Sequence, residues 1–113
     1  MTHFINLTPH AINVLAEDKS PHFVLPPSGG IARVSTSRHR VDVLYSEQAP
    51  EGVAVFSVRY GEVTGLPQSK AETCFVVSMM VKAACPNRTD LLSPGELVRG
   101  DDGQPIGCIG LDL

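Results

Sequence analysis

Short apolar runs, punctuated by proline and glycine, recur along the whole chain, and they alternate with the period of a strand rather than that of a helix. FINLT, AINVLA, HFVL, IARVS, VDVLY, VAVFSVRY, ETCFVVS, ELVR and PIGCIGL are short β-like runs that carry β-branched or aromatic residues. The breaks are explicit. Lys19-Ser20-Pro21, Pro26-Pro27-Ser28-Gly29-Gly30, Glu47-Gln48-Ala49-Pro50-Glu51-Gly52 and Gly65-Leu66-Pro67-Gln68-Ser69 gather residues that end strands or allow unusual φ. None is long enough for an interdomain linker. One segment reads differently: Met79-Met80-Val81-Lys82-Ala83-Ala84-Cys85 holds good helix formers, with Ser78 in front as a cap and Pro86 behind as a stop. It predicts about two turns of helix. At the end of the chain, Gly100-Asp101-Asp102-Gly103 joins two runs as a hairpin, with Gly103 supplying the positive φ. The pattern predicts one mostly β domain, a small antiparallel barrel or sandwich, with the short helix packed across an open end.

Composition narrows the function classes. The chain has 113 residues, 42% apolar and 19% charged with no tryptophan, which fits a globular domain with an aliphatic core. A formal charge of −3, with basic residues scattered singly along the sequence, offers no stripe for a phosphate backbone, so long nucleic acid is not an expected partner. No apolar run is long enough to span a bilayer, and MTHFINLTPH lacks the charged start and apolar centre of a signal peptide. A cytoplasmic protein is expected. Cys74, Cys85 and Cys108, odd in number and far apart, read as free thiols.

Most candidate chemistry dissolves on inspection. His3, His10, His22 and His39 show no paired metal-ligand spacing, and the cysteines form no CxxC, so no metal site and no cofactor motif is expected. The Gly-rich stretch before Arg33 lacks the Gly-Lys-Ser/Thr ending of a phosphate loop and reads as a turn. Asp101 and Asp102 sit where a solvated hairpin tip belongs, and Cys108 lies in an apolar strand. Two places keep their interest. Ser78, at a strand-to-helix junction, is either a plain N-cap or part of an anion site. In Pro86-Asn87-Arg88-Thr89-Asp90-Leu91-Leu92-Ser93-Pro94-Gly95, the fork of Arg88 either grips a phosphate or carboxylate or pairs with Asp90 and braces the loop.

The opening stretch poses a question of its own. Thr8-Pro9-His10 separates two strand-like runs where a hairpin would use Asn-Gly, and proline there interrupts pairing, which leaves the Thr8 hydroxyl and the His10 imidazole free to face something else. With Asn6-Leu7-Thr8-Pro9-His10, Tyr60-Gly61-Glu62-Val63-Thr64-Gly65-Leu66-Pro67, Phe75-Val76-Val77-Ser78, the Arg88–Gly95 loop and Gly103-Gln104-Pro105-Ile106-Gly107-Cys108, the chain resembles, over nearly its whole length, a family of small uncharacterised proteins of bacteriophages and bacteria, often actinobacteria. It departs from that pattern at Ser35–Arg40 and Ser46–Glu51. The resemblance implies that the NLTPH start, the strand-to-helix serine and the RTDLLSPG loop belong together. Phage context adds that small phage proteins often act on host defences, some by sequestering nucleotide immune signals.

Three functions follow as expectations. In the first, Thr8, His10, Ser78, Arg88 and Asp90 line one polar pocket and hold a small anionic ligand, a nucleotide in the phage setting, without covalent chemistry. A hydrolase with His10 as general base and Asp90 orienting it is the second. The third is a protein-interaction or homo-oligomeric structural module, in which apolar strands and Met79-Met80 form an interface.

Overall fold

The computed structural model describes the whole chain, Met1–Leu113. Its elements are β1 (His3–Asn6), β2 (Ile12–Leu15), β3 (Pro21–Leu25), β4 (Arg33–Leu44), β5 (Val53–Thr64), β6 (Thr73–Val76), α1 (Met79–Ala84), β7 (Leu91–Arg99) and β8 (Pro105–Asp112). Six strands form one sheet in the order β1-β6-β7-β8-β2-β3, which curls until its two edges meet, while β4 and β5 pair only with each other. Across the barrel seam Asn6 Nδ2 donates to Leu25 O (3.0 Å), and the rings of Phe4 and Phe23 stack at 6.3 Å. The fold is therefore the expected one: mostly β, barrel-like, with one short helix.

Pairing within the barrel is mixed. The hairpins β2–β3 and β7–β8 are antiparallel, as the sequence predicts, but β1–β6, β6–β7 and β2–β8 are parallel. β1 and β2 both form from FINLTPHAINV yet do not pair with each other. Pro9 has no N–H to give a ladder, and the loop around it folds onto Asn6 instead of closing a hairpin. The runs IARVS and VDVLY also differ from expectation, since they join into the single strand β4. Ser35–Arg40 contains no proline or glycine to stop it, and β5 supplies a partner along its length.

The core shows why β6 is so apolar. Phe75 and Val77 point to one cluster, with Leu7, Ala32, Val81 and Leu91, beneath α1; Val76 points the other way, into the barrel, with Ile12, Val14 and Cys108. Alternation sends successive side chains to opposite faces, and both faces of β6 are covered. Ser78 caps α1 as expected, accepting from Val81 N at 3.2 Å. All three cysteines are free thiols.

Every buried residue lies in this body, and none in β4 or β5, although these are the two longest strands. The radius of gyration, 18.0 Å, exceeds the roughly 13 Å of a compact chain of this length. The β4–β5 ribbon is thus an arm that stands away from the barrel. Its base is fixed by Ala32 N donating to Leu7 O (3.0 Å) and by Val34 and Val63, which pack on the cluster under α1. Gly65 closes that base at φ 79°, where any Cβ would strike the Ile31 carbonyl.

Candidate functional site

The residue that organises the opening turn is Asn6, 1% exposed. Its Nδ2 donates to His10 O (2.9 Å) and Leu25 O (3.0 Å), while its Oδ1 accepts from Thr8 N (2.9 Å) and Thr8 Oγ1 (2.7 Å). That uses the amide's full capacity, two donors and two lone pairs. Its own carbonyl accepts from Ser28 N (3.0 Å) and Ser28 Oγ (2.7 Å), which ties the β3–β4 connection to β1. The Thr8 hydroxyl is therefore spent inside the turn. His10 contributes its backbone carbonyl, and its imidazole is exposed without a hydrogen-bond partner among the side-chain contacts. The Asn-x-Thr spacing of an Asx turn was the available signal for Asn6.

At the second place, Arg88 Nε donates to Asp90 Oδ1 (2.8 Å), and Arg88 Nη2 donates to Asp90 Oδ2 (2.9 Å) and Pro67 O (3.0 Å). The two side chains are 25% and 15% exposed. The bond from Arg88 holds the Asp90 carboxyl below the usual carboxylate range against the opposing effect of burial, with a smaller contribution from Ser69. The same bond raises Arg88. Nη1 is the guanidinium nitrogen left without a partner.

Strand register separates these places. Asn6 pairs with Val76, and Leu92 lies beside Val76, so Thr8 and Ser78 emerge together from the C-terminal ends of β1 and β6. Leu91 pairs with Phe75, so Arg88 and Asp90 enter at the opposite end of the same strands, near Pro67. Ser78 and Arg88 also flank opposite ends of α1. Two strand spacings and several residues of rise set His10 and Asp90 roughly 10 to 15 Å apart. The five candidate residues fall into two groups, Thr8 with His10 and Ser78, and Arg88 with Asp90, and do not line one pocket. Beside the second group lies a cleft of about 310 Å³ to which Lys82, Arg88 and Thr89 contribute. No group of three or more His, Cys, Asp or Glu side chains is placed to hold a metal ion.

A larger feature is the arm itself. In its shaft Thr36 pairs with Tyr60, Arg38 with Val58 and Arg40 with Phe56, and these six share one face because paired and alternate residues do. Ser37, Arg59, His39 and Ser57 occupy the other. The first face is apolar and cationic: Phe56, Val58 and Tyr60 are 39%, 45% and 63% exposed, and the Arg38 guanidinium lies 4.1 Å from the Phe56 ring centroid. Toward the tip Val41, looped out by a bulge, Leu44, Tyr45 and Val53 are exposed as well, with Leu44 and Val53 paired on the opposite face. At the base, Val34 and Tyr60 face Met80, Ala83 and Ala84 of α1 across an apolar cavity of about 300 Å³. Four of the nine Lys and Arg residues, Arg33, Arg38, Arg40 and Arg59, stand on the shaft, and residues 33–40 and 56–61 carry no carboxylate. Charges scattered along the sequence are thus gathered by the ribbon. No protein-family model, no curated protein and no solved structure matches the chain.

Proposed function

We propose that this protein is a structural subunit that joins to further copies of itself through the β4–β5 arm. The observation that carries this reading is the arm's unpartnered face. A two-stranded ribbon with nothing packed on it is marginally stable in water, yet this one carries Phe56, Val58 and Tyr60 in a row, and burying each such side chain contributes about 1.5 to 3 kcal/mol. An apolar surface of this extent on a small protein marks an interface. Arg38 and Arg40 on the same face argue against two arms meeting face to face, since that would set like charges together. They favour a head-to-tail contact with the body of the next copy, where Glu17, Asp18, Glu72, Glu96, Asp101, Asp102 and Asp112 outnumber the cations. Head-to-tail contacts of one chain build rings or filaments.

Light scattering after size exclusion tests this. Wild-type protein is expected to elute as an oligomer, and a variant with residues 36–60 replaced by Asn-Gly as a folded monomer. A monomeric wild type at high concentration would overturn the proposal.

A second reading, the binding of a small anion such as a nucleotide phosphate, is favoured by the cleft at Lys82, Arg88 and Thr89. There the free Nη1 of Arg88 and the Lys82 ammonium, which reaches Asp112 O only at 3.5 Å, present two cations beside a hydroxyl. Melting curves with inorganic phosphate and with cyclic and linear nucleotides test it. A shift that Lys82→Ala removes supports the site; recovering the nucleotide intact after heat denaturation supports sequestration, and recovering products supports the hydrolase. No shift with any of them removes this reading.

A further inference from the structure

We infer that the β7–β8 hairpin of one copy seats in the angle between the arm and α1 of the next, with Leu97 and Ile106 against Tyr60 and Met80, and Asp101 and Asp102 against Arg38 and Arg40. This rests on the arm-mediated assembly above and names the surface that the arm receives. The receiving side is concave, because the arm leaves the body beside α1 and the two enclose the 300 Å³ cavity between Val34, Tyr60 and Met80. The cavity is lined by hydrophobic side chains alone, with Met80 48% exposed at its edge. An apolar projection with anionic flanks is the shape and charge that complement it.

The body carries such a projection. From Ser93 onward β7 pairs with β8 alone, and β8 is flanked by β2 as far as Ile106, whose carbonyl accepts from Asn13 Nδ2, so Leu97 and Ile106 sit at the rim of the barrel and the turn beyond them, residues 99–105, projects from it. Leu97 and Ile106 are 51% and 50% exposed near its end, among the largest exposed apolar side chains of the body. The tip between them is Gly100-Asp101-Asp102-Gly103, closed by Gly103 N donating to Gly100 O (2.9 Å) and by Gly100 N donating to Gln104 O (2.8 Å). Asp102 Oδ1 accepts from Gln104 N, whereas the Asp101 carboxylate is exposed and makes no hydrogen bond within the chain. Arg99 Nη1 donates to Gly103 O, so one cation stands beside the two carboxylates and Asp101, which has no such partner, keeps the tip anionic. Carboxylates on the projection meet the two arginines on the receiving face, and no carboxylate of the shaft stands in between. Because projection and angle are different parts of the chain, the contact is one-way, and each copy can give and receive at once.

Complementary variants test the inference. Arg38→Glu with Arg40→Glu reverses the receiving face; Asp101→Arg with Asp102→Asn reverses the projection while keeping the Oδ1 that closes its turn. Each double variant alone is expected to stay monomeric, by sedimentation velocity, at concentrations where the wild type assembles. Mixed one to one, they are expected to assemble again as an alternating copolymer, since the first's hairpin fits the second's angle and the second's reversed hairpin fits the first's reversed angle. The chain carrying all four substitutions should assemble again, a rescue that misfolding cannot imitate. If the arm variant is monomeric but Asp101→Arg/Asp102→Asn assembles like wild type, the arm docks elsewhere and this inference fails while the parent proposal stands. If wild type is itself monomeric, or the arm variant assembles normally, both fail.

Discussion

Barrel and arm are built from the same kinds of residue and reach opposite ends. In the barrel, successive side chains of β6 and the residue after it, Phe75, Val76 and Val77, are covered on alternate faces, and the one large polar side chain in the core, Asn6, has every donor and acceptor used. In the arm the same alternation leaves Phe56, Val58 and Tyr60 on a face that nothing covers. The barrel satisfies itself within one chain. The arm does not: only its base, through Val34 and Val63, packs on the core, and the exposed face beyond is where we propose that further copies join.

The largest effect expected on the barrel side is from Asn6→Ala. It strands two carbonyls and the Thr8 amide beside the seam, and should cost about 3 to 5 kcal/mol of stability, read as a lowered melting temperature. A loss comparable to a surface substitution would show that the seam is not held by this amide. Asn6→Asp should fare no better, because a carboxylate presents oxygens to the carbonyls of His10 and Leu25.

A smaller effect is expected from the Arg88–Asp90 brace, at about 1 to 3 kcal/mol for either truncation. Its pH dependence has a definite sign. The Asp90 carboxyl is depressed in the folded protein, so its stabilisation is fully present above the ordinary carboxylate pKa and is lost as pH falls through the lower, folded value. Melting temperature should therefore fall on acidification below that range more steeply in wild type than in Asp90→Asn. Parallel acid limbs would remove the brace as the cause. Smaller again, Gly103→Val should cost about 1 to 2 kcal/mol, because its φ of 80° suits glycine, whereas Asp101→Ala should stay within about 0.5. Equal melting temperatures would argue against the turn.

The least effect on folding belongs to the arm. Phe56→Ser should leave the barrel's stability within about 0.5 kcal/mol and yet lower the mass seen by light scattering. Unfolding of the barrel by that change would mean that the arm is part of the core after all.

How much of this was legible in the sequence follows from which interactions are local. The β class, Ser78 as cap, the end of α1 near Pro86 and the positive φ at Gly103 are set within a few residues, and the sequence shows each of them. The parallel pairing of β1 with β6 is not local: Phe4 and Cys74 are brought together by a connection that includes the whole arm. For the same reason Thr8 and Arg88 could be read as one pocket until strand register put them at opposite ends. The arm escaped because apolar runs in β4 and β5 have the pattern of core strands. Only the geometry shows that their shared face has no cover, and that arginines distant in sequence share it.

Amide hydrogen exchange followed over a dilution series tests the arm most directly. At high concentration, amides of β4 and β5 between residues 36 and 60 should be protected, and their protection should fall with dilution while that of Phe75, Val76 and Val77 stays constant. Arm protection that is independent of concentration would contradict a ribbon ordered by docking to another copy.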